Sequence, residues 1–324
     1  MSLSATFDRG VVLDLATIDT GDISLAHLAA TCRAWTHHRA TPADAVAERI
    51  AEAQVVVTNK VVLDRARLAA TPGLRLVCIA ATGTNNVDLA AARELGIAVT
   101  NVTGYATPAV VQHVFAGILA HATRMQDYRA SVAAGDWSRS GQFCLLDHPI
   151  HEIAGRRLGI VGYGELGRAV ARVAVAFGME VLIAQRPGGP PEAGRLPLAE
   201  LLPRVHVLSL HCPLADNTRG LIGAAELAAM RPDALLINTA RGGIVDEAAL
   251  AEALRRGQIA GALVDVLGTE PPPPDHPLLA PDIPNLTVTP HCAWASREAR
   301  QRLIDGVAAN IADFAAGRPC ARVA

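Results

Sequence analysis

The sequence predicts an α/β protein with doubly wound parallel sheets, and three observations lead there. Short β-branched runs alternate with alanine-rich stretches along the whole chain, the pattern of parallel strands joined by crossover helices rather than of a bundle or sandwich. From Arg157 onward the runs recur as a regular series of six, enough for a complete doubly wound sheet. The first of the six leads straight into Gly162-Tyr163-Gly164-Glu165-Leu166-Gly167 and then an Ala/Val/Arg helix. At 324 residues the chain is long enough for about two domains and a sizeable core.

Taken in order, strands are expected at residues 11–15, 55–58, 76–80 and 98–101 of the first part. Thr41-Pro42 caps a helix running to about residue 52, with Pro at the first helical position and Asp44 in the first turn, and Gly96 ends another helix. Thr107-Pro108 opens a longer helix to about residue 127. The irregular stretch 135–151 that follows is too long and aromatic for a simple connection, and such excursions often touch a partner subunit. The second series places strands at 158–161, 181–184, 205–210, 234–238, 261–266 and 286–289. The run Pro271-Pro272-Pro273-Pro274 is a stiff connector, and Ser296 caps a last helix that ends at Gly317.

Composition excludes several classes. Hydrophobic residues make up 51% and charged residues 19%, which favours compact packing over a long disordered tail. A net charge of −2 with only 3% aromatics leaves neither a basic footprint nor stacking platforms for nucleic acid. The longest apolar stretch, 109–122, is interrupted by Gln112, His113 and His121, and falls short of the ~18 residues a membrane span needs. The N-terminus carries Asp8 and Arg9 and has no basic region followed by an apolar run, so a cytoplasmic protein is expected. The six cysteines are dispersed with no C-x-x-C, which fits free thiols better than disulfides or a zinc site, and no metal is expected. Lys60 is the only lysine, which removes a P-loop and leaves Schiff-base chemistry a single candidate.

The glycine-rich turn carries the sharpest chemistry. Its first glycine permits the tight turn, Gly164 lets backbone approach a pyrophosphate, and Gly167 allows close helix-to-strand packing, with phosphates on the N–H groups at the helix start. Where an acidic side chain usually holds the adenine ribose, the second strand ends in Gln185-Arg186. Gln185 can bond a ribose and Arg186 can pair with a 2′-phosphate, which points toward NADP(H) or dual use over NAD(H) alone. Downstream, Arg241 follows a buried strand at the end where ligands of open α/β sheets gather, and its guanidinium can grip a carboxylate bidentately. Glu270 and His291 follow later strands and can return to the same crevice. A glutamate bonded to the imidazole would favour the protonated ring and orient it for proton delivery to a ketone oxygen. Cys292 adjoins His291, so its oxidation would be expected to inhibit.

These residues resemble the D-isomer-specific 2-hydroxyacid dehydrogenases over nearly the entire chain. The resemblance rests on residues 81–88 (Ala-Thr-Gly-Thr-Asn-Asn-Val-Asp), Gly162 to Gly167, His211-Cys212-Pro213-Leu214 with Thr218, Asn238-Thr239-Ala240-Arg241-Gly242-Gly243, Asp265 through Glu270-Pro271, and Thr289-Pro290-His291. It implies Arg241, Glu270 and His291 as the catalytic set, and backbone around Thr82 and Gly83 as a substrate-carboxylate contact. The expected cofactor contacts are Thr107, Gly162, Gly164, Glu165, Leu166, Gln185, Arg186, Cys212, Pro213, Thr218, Thr239, Ala240 and Asp265, the last near the nicotinamide. It also implies a Rossmann-type nucleotide domain, residues 104–295, inserted in a flavodoxin-like catalytic lid domain formed by 1–103 and 296–324, with the active site between them. A homodimer embraced by the stretch 135–151 is expected too.

Within that family the sequence is most similar to bacterial glycerate dehydrogenases, also called hydroxypyruvate reductases, through residues 82–86, Trp137-Ser138-Arg139-Ser140 and Gln142-Phe143-Cys144. The expected substrates are therefore small 2-keto acids, hydroxypyruvate or glyoxylate, giving D-glycerate or glycolate. Glu270 separates the chain from the formate dehydrogenase branch, which carries glutamine there. The alternative is a nucleotide-sensing binding protein of the same fold, similar to the C-terminal-binding-protein corepressors, without physiological turnover. Two departures from the family pattern are Gln185 in place of the ribose acid and Gln112 before His113, where many relatives carry glutamate.

Overall fold

The computed structural model describes residues 7–324 and divides into two compact units. One joins the chain up to Ala106 with Trp294–Ala324, and the other is Thr107–Ala293. Those boundaries fall three and two residues from the expected 103/104 and 295/296, at the start of the helix Thr107–Thr123 and just after His291.

In the first unit, β1 (Phe7–Val12), β2 (Cys32–His37), β3 (Val55–Thr58), β4 (Leu76–Ile79) and β5 (Ala98–Thr100) form an all-parallel sheet in the order β2-β1-β3-β4-β5. This is the flavodoxin-like order. Its central strands are covered on both faces, which is why they read as unbroken apolar runs. Val55, Val57, Leu76 and Cys78 meet Leu303, Ile304, Val307 and Ile311 of the helix Arg297–Ala315, while Val56, Val77 and Ile79 pack with Ile50, Leu63 and Leu68 on the opposite face. Ser296 accepts Ala299 N–H at the start of that helix, and Gly317 ends it at φ +68°.

The second sheet takes β6 (Arg157–Val161), β7 (Glu180–Ala184), β8 (Arg195–Leu196), β9 (Val207–Leu210), β10 (Leu235–Asn238), β11 (Gly261–Val264) and β12 (Leu286–Val288), all parallel, in the order β12-β11-β10-β9-β6-β7-β8. The order reverses between β6 and β9, so the crevice where open α/β sheets bind ligands lies beyond the ends of those strands.

Four expectations need correction. β2 is absent from the expected strands because it is an edge strand with mostly exposed positions; Trp35 alone supplies bulk, lying over Gly10 of β1. β8 is two residues long, too short to leave a pattern. Thr41 does not cap: its hydroxyl donates to Leu13 O at 2.5 Å, and a 3-10 turn Ala43–Ala45 precedes a short helix Val46–Ile50. The long helix stops at Thr123, because Arg124 turns left-handed (φ +51°) and a second helix, Met125–Ala133, begins.

The switch point of the first sheet lies between β1 and β3, and the chain fills it. Asp14, 3% exposed, accepts N–H groups of Asn59 (2.9 Å), Lys60 (2.6 Å) and Val61 (3.3 Å). Bonds to a charged acceptor contribute roughly 1.5–3 kcal/mol each before coupling, so Asp14→Ala is expected to cost about 3 kcal/mol in denaturant unfolding. An unchanged midpoint would show that the 59–61 turn stands without it.

Candidate active site

β10, β11 and β12 are neighbours, and the loops leaving their C-terminal ends carry Arg241, Glu270 and His291 in turn. Glu270 Oε2 lies 2.6 Å from His291 Nδ1, and Glu270 Oε1 accepts Leu267 N–H at 2.8 Å. The carboxylate is thus held by its own loop and in turn holds the ring. Both side chains keep partial exposure, 28% for His291 and 35% for Glu270, so the pair is ordered yet accessible.

The Arg241 loop lies backbone to backbone with the Glu270 loop, because a β-carbon on Gly242 would run into the carbonyl of Leu267. Asn238 clasps the Arg241 loop from beneath: its Nδ2 donates to Arg241 O (2.9 Å) and its Oδ1 accepts Ala240 N–H (3.1 Å). The guanidinium itself donates to Ala240 O at 2.7 Å.

His291 adopts φ +51°, a region that costs an L-residue about 1–2 kcal/mol. Its N–H donates to Asp265 O (2.8 Å) and Thr289 O (2.9 Å). The Asp265 side chain, 2% exposed, completes the clamp: Oδ1 accepts the Thr289 hydroxyl (2.5 Å) and Cys292 N–H (2.9 Å), and Oδ2 accepts Ala293 N–H (2.9 Å). Asp265 is therefore committed to the loop around His291. A second Glu–His pair supports the Glu270 loop. Glu247 accepts Gly268 N–H at 2.7 Å through Oε1 and meets His276 Nε2 at 2.8 Å through Oε2. His276 Nδ1 accepts Leu278 N–H, so Nε2 carries the hydrogen and donates to Glu247.

The glycine-rich turn separates into two kinds of glycine. Gly162 has φ +94° and a β-carbon there would lie 2.5 Å from Cys212 N, while one on Gly167 would strike Gly162 O. The chain's own packing requires both. Gly164 is exposed, starts the helix Glu165–Ala176, and has nothing within 4 Å of a β-carbon built on it. Open space at that position, with unpaired helix N–H groups behind it, suits a pyrophosphate. Thr107 Oγ1 donates to Glu165 Oε1 at 2.5 Å beside the helix start, and Leu166 is half-buried behind it. At the end of β10, Thr239 Oγ1 is a buried hydroxyl with no hydrogen-bond partner among the described residues, the kind of orphan a bound polar group satisfies.

After β7, the Gln185 amide donates to Gly189 O at 3.2 Å across a turn that leaves Arg186 exposed. Thr218 is turned inward, accepting Ala215 N–H and donating to Pro213 O, both at 2.7 Å, and so shapes the turn after Cys212. Burial pushes the Cys212 thiol up. Ala240 is buried. Thr82 and Gly83 belong to the other unit, in the loop after β4. There Thr82 donates its hydroxyl to Val102 O (3.0 Å) and receives Asn101 Nδ2 on its carbonyl (2.7 Å), so the hydroxyl is engaged within the loop.

Residues 115–293 match the NAD binding domain of the D-isomer specific 2-hydroxyacid dehydrogenases. The glycerate dehydrogenase of Methylorubrum extorquens is 46% identical over 279 residues, 86% of this chain and 88% of that one. The chain belongs to the D-isomer-specific 2-hydroxyacid dehydrogenase family. The hydroxypyruvate reductase of Blautia hydrogenotrophica is 35% identical over 315 residues, covering 95% and 97% of the two chains. A crystal structure of a protein from Thermus thermophilus superposes with a TM-score of 0.85 at 34% identity, covering 98% of this chain and all of that one. The chain is thus a 2-hydroxyacid dehydrogenase with a nicotinamide dinucleotide as its cofactor.

Glu247 and His276 carry no signal in the sequence, and Thr289 and His113 are named there without a role in supporting the loops of Glu270 and His291. Apart from the local His276–Leu278 bond, their contacts bridge 21 to 176 positions, and only the Thr-Pro-His spacing hints at Thr289. Cys292 differs from expectation: desolvation and the Asp265 carboxylate push its thiol up, which disfavours the thiolate that oxidation requires.

Two outcomes follow from the nucleotide turn. Gly164→Val is expected to keep the thermal midpoint while weakening NADH and NADPH binding about tenfold or more by fluorescence titration, since the added side chain fills only ligand space. Unimpaired binding would place the phosphates elsewhere. His211, beside Cys212, is held neutral by burial, its pKa lowered from 6.5 to about 4. Between those values the unfolded chain binds a proton the folded chain lacks, so this contribution is whole above pH 6.5 and fades as pH falls toward 4, by about 3 kcal/mol in all. Unfolding of wild type and His211→Asn at about pH 7 and 4.5 checks it: the acid-induced loss should be smaller in the variant.

Proposed function

We propose that this dehydrogenase reduces a small 2-keto acid, hydroxypyruvate or glyoxylate, to the D-2-hydroxy acid, D-glycerate or glycolate. The observation that carries the reading is the 2.6 Å Glu270–His291 contact beside the Arg241 loop, at the ends of adjacent strands. Arg241 binds the substrate carboxylate bidentately and polarises the carbonyl. Glu270 fixes the imidazole through Nδ1, which directs Nε2 to give its proton to the carbonyl oxygen. A bound reduced nicotinamide supplies the hydride for the carbonyl carbon. Hydride and proton together convert ketone to alcohol, and in the reverse direction His291 takes the proton back. Backbone at Thr82 and Gly83 is the further contact for the substrate carboxylate.

The unit Thr107–Ala293 is the nucleotide domain in this reading, and the other unit is the catalytic domain. Exposed Arg186, with Gln185 in place of an acid, supports use of NADPH alone or alongside NADH. A homodimer goes with the reading, since the stretch 135–151 leaves Phe143 91% and Leu146 82% exposed, an apolar surface suited to a second copy. Six free thiols suit a reducing cytoplasm.

The deciding experiment follows consumption of NADH and NADPH with hydroxypyruvate, glyoxylate and pyruvate. Turnover of the first two is expected, and His291→Ala should lower kcat by about 10²-fold or more. Nucleotide binding without turnover on any keto acid would instead favour a nucleotide-sensing binding protein.

A further inference from the structure

We propose that His113 is a positioning residue for His291, acting through Thr289 and Asp265; this rests on the reading of His291 as proton donor. His113 lies on the helix Thr107–Thr123, remote in sequence from the catalytic loops. Its Nε2 stands 3.2 Å from Thr289 Oγ1 and 3.9 Å from Asp265 Oδ1.

The direction of each bond follows from counting hydrogens. The Thr289 hydroxyl has one hydrogen, and Asp265, already accepting two backbone N–H groups, is the acceptor 2.5 Å away. Thr289 therefore donates to Asp265, and His113 Nε2–H donates to Thr289. A hydroxyl bonded on both sides has one rotamer. Such a chain also polarises along its length, strengthening the contact onto the carboxylate. That carboxylate holds the N–H groups of Cys292 and Ala293, and the Asp265 carbonyl holds the N–H of His291. His113 thereby bears on the segment that keeps His291 at φ +51°.

The setting distinguishes this from ordinary core packing. His113 borders a cavity of ≈ 440 Å³ that is also lined by His121, Arg124, Asn285 and Thr287, so its ring is not locked in place by apolar neighbours on every side. Without the imidazole, the Thr289 hydroxyl loses one of its partners and gains freedom to turn from Asp265.

The test compares His113→Ala, His113→Gln, Thr289→Val and the double variant His113→Ala/Thr289→Val by steady-state kinetics with hydroxypyruvate, NADH and NADPH. Amide hydrogen exchange at Cys292 and Ala293 is followed in the protein without ligand. His113→Ala should lower kcat about tenfold with KM values held within about twofold, because a slightly misplaced acid costs turnover more than binding. His113→Gln should recover most of the loss, since its amide nitrogen reaches as far as Nε2 and donates. The double variant should be no slower than Thr289→Val alone, the sign of one shared pathway. Exchange of the two amides should rise about tenfold in His113→Ala and stay near wild type in His113→Gln. Unchanged kcat and exchange in His113→Ala, equal losses in Ala and Gln, or additive losses in the double variant would each overturn the proposal. Should the wild type reduce no keto acid, the functional reading fails; the exchange measurement still decides whether His113 governs the clamp.

Discussion

A buried carboxylate at the end of β11 is the constraint on which the loop carrying His291 depends. Burying a charge at 2% exposure is costly unless its oxygens are fully bonded, and Asp265 meets that condition with one hydroxyl and two backbone N–H groups drawn from a five-residue stretch. The same requirement that satisfies Asp265 therefore fixes the path of residues 289–293. His291 sits inside that path in a left-handed conformation it would not choose alone. Unfavourable backbone geometry at this one position is offset by bonds that also aim the ring at Glu270.

Two Glu–His pairs stand within one loop of each other, and their surroundings separate their roles. Glu247 and His276 are 18% and 7% exposed and spend their remaining polar atoms on Gly268 and Leu278, closing a turn. Glu270 and His291 have greater exposure and stand beside the Arg241 loop. One pair is scaffolding for the other: Glu247 holds Gly268, next to Leu267 whose N–H holds Glu270. Residue types alone do not separate the pairs; exposure and neighbouring loops do.

Legibility in the sequence follows burial and locality. The central strands of the first sheet are covered on two faces, so 55–58 and 76–79 stand out as apolar runs, and the glycine turn is legible because Gly162 and Gly167 answer local steric demands while Gly164 keeps the helix start open. The gathering of Arg241, Glu270 and His291 is legible through loop order: residues after adjacent parallel strands must emerge at one edge. β2 is not, since an edge strand with mostly exposed side chains has no apolar run to display. The break at Arg124 is not, because a left-handed arginine carries no compositional mark. The clamp is illegible for a different reason. Asp265 is bonded largely to backbone N–H groups, which every residue except proline possesses, so no residue type signals the partnership.

The two sheets share one topological rule and use it in opposite ways. In each, the strand order reverses at a point where N–H groups collect beyond the strand ends. At the β1/β3 reversal the chain answers those groups itself, with Asp14 accepting three of them from 59–61. At the β6/β9 reversal Gly164 stands exposed with clear space beside it, and the absence of side chains at Gly162 and Gly167 lets the turn and helix pack closely there. An internal carboxylate makes the first reversal a structural joint. A glycine with open space before it leaves room at the second for an external anion, and that difference accords with the match of this unit, which also carries Arg241, Glu270 and His291, to an NAD binding domain.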